Sequence, residues 1–96
     1  MVASDAHQGL IGRGCAHFLG PAVATVHGDE AIAVCESLVV TRRGDGYVVW
    51  RAAANHFRLN RIEGRWQIVD RTTRTLDGRA ESRALLADGV AGRPAP

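Results

Sequence analysis

Four side chains in this chain have types that can act on a small organic molecule: His17, Arg51, Asn55 and Asp70. An imidazole exchanges protons near neutral pH and is the commonest general base. A carboxamide donates and accepts, so Asn55 can hold a carbonyl or hydroxyl group. A guanidinium such as Arg51 can pair with a carboxylate or stabilise a developing enolate. Asp70 is the one carboxylate within its run and could orient Arg51 or His17. Each also has a plainer role. His17 can be a hydrogen-bonded residue at a strand entry, and Asn55 a buried amide tying neighbouring strands. Arg51 and Asp70 can form an ion pair within a sheet.

Arg51, Asn55 and Asp70 lie in runs that read as strands, and His17 lies just ahead of the first, in the segment Cys15–Pro21 that leads into the sheet. Ala22–Val26 alternates and is rich in β-branched residues, Ala31–Thr41 is a long second run, and Tyr47–Arg61 and Arg65–Leu76 follow as the third and fourth. Gly28-Asp29, Gly44-Asp45-Gly46 and Glu63-Gly64 separate them, each with a glycine suited to a hairpin turn. Three tight turns in succession predict an antiparallel meander of four strands over residues 20–77. Runs this long must bend, and the small residues Ala52-Ala53-Ala54 offer a place for a bulge or a close approach. On the third run, Arg51, Ala53, Asn55, Phe57 and Leu59 share one face. That set suits a pocket wall with a few placed polar groups. On the fourth run, Trp66 and Ile68 are expected under a helix, with Asp70 and Arg74 further along the same face.

Helices are predicted at both ends. Ser4 can cap one that Gly12 or Gly14 stops, and Asp77 can cap another over Gly78–Asp88, ended by Gly89. Ala80, Ala84 and Leu85 form the apolar side of the second. The fold class is therefore α+β, a strongly bent four-stranded meander with a short helix before it and one after. Ninety-six residues make one domain, read as 1–91 with a flexible tail at 92–96.

Composition excludes several functions. All twelve basic residues are Arg, dispersed at a net charge of +2, with no basic stripe for nucleic acid. No apolar run approaches the roughly 20 residues that span a bilayer, and the N-terminus lacks a signal-peptide core, which makes the cytoplasm the default location. Cys15 and Cys35 fit no zinc pattern, and His7, His27 and His56 do not converge, so no metal site is expected.

Several segments in order resemble the SnoaL-like branch of the nuclear transport factor 2-like superfamily. They are Val26-His27-Gly28-Asp29-Glu30-Ala31-Ile32-Ala33, Tyr47 to Asn55, Gly64-Arg65-Trp66-Gln67-Ile68 with Arg71, and Arg74-Thr75-Leu76-Asp77-Gly78. The resemblance implies a cystatin-like cone that binds small apolar or aromatic ligands. It also implies two long N-terminal helices and further strands ahead of Ser4, so the chain reads as an N-terminally truncated domain. In dehydratase-like relatives a histidine placed like His17 acts as general base, oriented by an aspartate from the first helix, with no metal or organic cofactor. The family also pairs through its sheet, which implies a homodimer and makes Trp50 a contact residue. The reading that follows is a small-molecule-binding domain without catalysis. Its rivals are a dehydratase, isomerase or cyclase using His17, and an interaction module.

Overall fold

The computed structural model describes residues 14–96. The helix expected after Ser4 lies outside these residues. The described chain runs β1 (Cys15–Leu19), β2 (Val23–His27), β3 (Glu30–Arg43), β4 (Gly46–Ile62), β5 (Arg65–Thr75) and α1 (Ala80–Val90). The predicted meander is present as β2–β5, joined by the three anticipated turns. In the last turn Glu63 and Gly64 both have positive φ, at 52° and 79°, the pattern of a type I′ hairpin turn.

The sequence reading treated Cys15–Pro21 as a lead-in. The structure makes Cys15–Leu19 a strand, paired with Ser37–Thr41 at the far half of β3. β2 pairs with Glu30–Val34 on the same edge, so β1 and β2 act as one edge strand with a break at Gly20-Pro21-Ala22. Proline has no N–H to give the ladder, and such breaks belong on edge strands. Gly20 still donates to the Glu36 carbonyl at 2.7 Å.

The long strands bend at two bulges, neither at Ala52-Ala53-Ala54. The β3–β4 register shifts between Val39 and Val40, leaving Trp50 as the extra residue. The β4–β5 register shifts between Arg58 and Leu59, leaving Val69 as the extra residue. A bulge re-aims every side chain beyond it, and this second one decides where Asp70 points.

Helix α1 lies across one face of the sheet. Its buried stripe is Ser82, Leu85 and Gly89 rather than the anticipated Ala80 and Ala84. Leu85 is almost wholly buried, which contributes roughly 2 kcal/mol relative to exposure. Gly89 sits within the helix and does not end it. A Cβ there would lie 1.8 Å from Val34 Cγ1 and 3.2 Å from His56 Cδ2, so its absence lets helix and sheet meet closely. The chain turns away after Ala91 at Gly92, whose φ of 75° is the usual left-handed helix exit. Asp77 accepts the Arg79 amide at 3.0 Å just ahead of the helix, whose N-cap position is Arg79.

Candidate functional site

Residues directly opposite in an antiparallel ladder share a face. Asn55 stands between Cys35 on β3 and Thr73 on β5, and Ala53 between Ser37 and Thr75. Phe57 stands between Ala33 and Arg71. His17 pairs with Val39, which pairs in turn with Arg51. Thus His17, Arg51, Ala53, Asn55 and Phe57 share one side of the sheet, the Asn55 face, opposite to α1. Two strand spacings put the backbones of His17 and Arg51 about 10 Å apart, with Val39 between them. His17 and Arg51 are exposed, Phe57 is half-buried, and Ala53 and Asn55 are buried.

Asp70 does not join them. The bulge at Val69 sets it opposite Arg58, on the side where α1 packs. Trp66 and Ile68, on the turn side of the bulge, pair with Arg61 and Leu59 and so lie on the Asn55 face, where they are 40% and 59% exposed rather than under a helix. Arg61 covers the Trp66 ring, with Cζ 5.0 Å from its centroid.

Asn55 is the centre of a saturated polar cluster. Its Nδ2 donates to Ser37 Oγ at 3.0 Å and to the Cys35 carbonyl at 3.4 Å. Its Oδ1 accepts from Arg71 Nη2 and from the Thr73 hydroxyl, each at 3.0 Å. Arginine has no acceptor, so the contact with Arg71 fixes which end of the carboxamide is oxygen. All four hydrogen-bonding positions of Asn55 are taken by protein. The amide ties β3, β4 and β5 together, and a fully buried carboxamide left unpaired would be costly.

Arg71, one of the residues that carry the family resemblance, is the one to which sequence reasoning gave no place in the site. Its Nε donates to Thr73 Oγ1 at 3.2 Å, and its Cζ lies 5.5 Å from the Phe57 ring centroid. The Thr73 hydroxyl accepts from Arg71 and donates to Asn55, within the capacity of one hydroxyl. The pairing of Phe57 with Arg71 is a register fact, visible only once the bulge is placed.

The helix face has its own buried polar group. His56 Nε2 lies 2.8 Å from the Arg93 carbonyl, which tethers the chain beyond α1. Arg93 also donates its amide to the Asp88 carbonyl and its guanidinium to Asp88 Oδ1 at 3.0 Å. A cleft of about 240 Å³ opens beside this tail, lined by Thr25, His27, Glu30, Arg58, Gly92 and Pro94 among others. Among the described residues no three His, Cys, Asp or Glu side chains gather as metal ligands. Both cysteines are free thiols.

The family model described as a SnoaL-like domain matches residues 1–72. This chain belongs to the SnoaL-like family. Among solved structures, the SnoaL-like chain is similar to a nuclear transport factor 2-like protein with a cystatin-like fold from Novosphingobium aromaticivorans. The identity is 42% and the TM-score 0.81, over 86% of this chain and 54% of that one. It is also similar to a protein of unknown function from Mycobacterium tuberculosis, at 25% identity and a TM-score of 0.55. That match covers 76% of this chain and 39% of the other, so the chain spans about half or less of either protein. No curated protein matches. The α+β class and the curved antiparallel sheet of the cystatin-like fold agree with the sequence reading, and no described helix is long and apolar enough to cross a membrane.

Proposed function

We propose that this SnoaL-like domain binds a small apolar or aromatic molecule against the Asn55 face, and that it does so without catalysis. One observation carries the reading. On that face half-buried Phe57 and exposed Arg71 lie beside buried Ala53 and Asn55, an apolar ring next to fixed polar groups, as ligand sites require. The non-catalytic part of this reading is supported by the state of Asn55. A group that stabilises an oxyanion needs a donor aimed at the ligand, and both donors of Asn55 are engaged by Ser37 and Cys35. The test is a titration of the isotope-labelled chain with naphthalene- and phenyl-bearing compounds. Shifts should gather at the Asn55 side-chain amide, Ala53 and Phe57. Shifts gathered at Thr25 and Arg58, in the cleft beside the tail, would overturn it.

A second reading makes His17 the general base of a cofactor-independent dehydratase, isomerase or cyclase. The observation in its favour is the placement of His17 and Arg51 on one face, on either side of Val39. It predicts solvent-proton exchange at the α-carbon of a bound carbonyl compound. Exchange that survives His17→Ala would remove it.

A homodimer through the sheet is supported by exposed apolar residues on the α1 side that the helix leaves uncovered. Phe18 pairs with Leu38 there, Val49 with Val40, and Trp50 at the bulge is 59% exposed. Sedimentation should give a dimer that Trp50→Asp splits; a monomer at all concentrations would refute it.

A further inference from the structure

We infer that Arg71 is an anion-binding residue of the Asn55 face, which makes the ligand class an apolar molecule bearing a carboxylate rather than a neutral one. This rests on the reading that the ligand sits on that face. The described arginines sort by what holds them, and Arg42 and Arg74 donate only to backbone carbonyls. Arg61, Arg79 and Arg93 each have a carboxylate oxygen close by, at 2.9, 3.5 and 3.0 Å. Arg71 is held as firmly, but by neutral groups: the Asn55 carboxamide, the Thr73 hydroxyl and the Phe57 ring. No carboxylate pairs with it among the described residues.

A guanidinium has five N–H donors, and Asn55 and Thr73 take two of those on Arg71. Both protons of Nη1 and one of Nη2 remain, and one from each nitrogen forms the end-on edge that matches the two oxygens of a carboxylate. The side chain is already immobilised, so less rotamer freedom is lost when an anion docks. The stacked Phe57 ring continues the site as apolar surface beside the charge. Asn55 is thus a positioning residue, whose lone pairs fix the cation that meets the ligand.

The experiment compares 2-naphthoate with 2-naphthamide, alike in shape and different in charge, titrated into the labelled full chain. Naphthoate should bind at least about tenfold tighter, the usual scale for hydrogen bonds to a charged group. Arg71→Gln, which can still donate to Asn55, should abolish that preference; Arg71→Lys should keep part of it. Thr73→Val removes one support of the guanidinium and should weaken naphthoate alone, by a few-fold, giving a second variant if Arg71→Gln does not fold. Equal binding of both compounds to the unaltered chain, or a preference that survives Arg71→Gln, overturns the inference. Shifts on the Asn55 face would then still support ligand binding there. Binding of neither compound overturns both.

Discussion

Asn55 and His56 are consecutive, buried and polar, and they serve different parts of the molecule. Strand geometry sends their side chains to opposite faces. Asn55 bonds only to neighbouring strands, through Ser37 and Cys35 on one side and Arg71 and Thr73 on the other. His56 bonds across 37 positions to the Arg93 carbonyl, and its ring packs where Gly89 brings α1 down on the sheet. The Asn55 face is therefore organised by the sheet itself, whereas the helix face is organised by what docks on it. A polar residue within a ladder can brace a site whose other side is a ligand. One beneath a docked helix holds a second element in place.

The largest effect should come from Asn55→Ala. It leaves buried Ser37, half-buried Thr73 and exposed Arg71 without their shared partner, at a cost of about 2–4 kcal/mol in urea unfolding. Hydrogen exchange should quicken at β5 amides around Arg71–Thr73 while the Arg93 amide keeps its protection. Loss of protection at Arg93 as well would show that the two faces are coupled, and the comparison would fail. Gly89→Ala comes next. Its methyl group would collide with buried Val34, and overpacking of this kind costs about 1–3 kcal/mol, less up to about 1 kcal/mol of helix propensity. Here α1 and the tail should lose protection first, with β5 unchanged.

The sheet was legible in the sequence because its signals are local. Three glycine-bearing turns and alternating runs determine β2–β5 without reference to anything distant. What escaped depends on pairing. Cys15–Leu19 becomes a strand only because the far half of β3 lacks another partner on that edge, and nothing within those five residues announces it. The site shows the same limit more sharply. Counting back from the Glu63-Gly64 turn places Thr72 opposite Asn55, whereas the bulge at Val69 places Thr73 there. That single residue decides that Arg71 and Thr73 reach Asn55 and that Asp70 does not. Ala53, Asn55 and Phe57 could be grouped because they lie on one strand with period two. Gly89 read as a helix terminator because glycine often is one; its actual use, as contact with Val34, is a tertiary fact.

His56→Phe should have a smaller effect than either earlier change, about 1 kcal/mol, because one neutral hydrogen bond is lost while the ring volume stays nearly filled. It should raise proteolysis after Arg93 without altering β5 exchange. The smallest effect belongs to Asp88→Asn. Its partner Arg93 is mostly exposed, so water screens the pair and the loss should stay within about 0.5 kcal/mol. Asp88 also accepts the Arg93 amide through its backbone carbonyl, which the substitution leaves intact. The tail should therefore remain docked in the Asp88→Asn variant and come loose in His56→Phe. If Asp88→Asn instead frees the tail, and added salt does the same to the unaltered chain, the surface ion pair holds this end of the molecule. His56 would then be a packed ring with no tether to keep, and the contrast with Asn55 would reduce to one of packing alone.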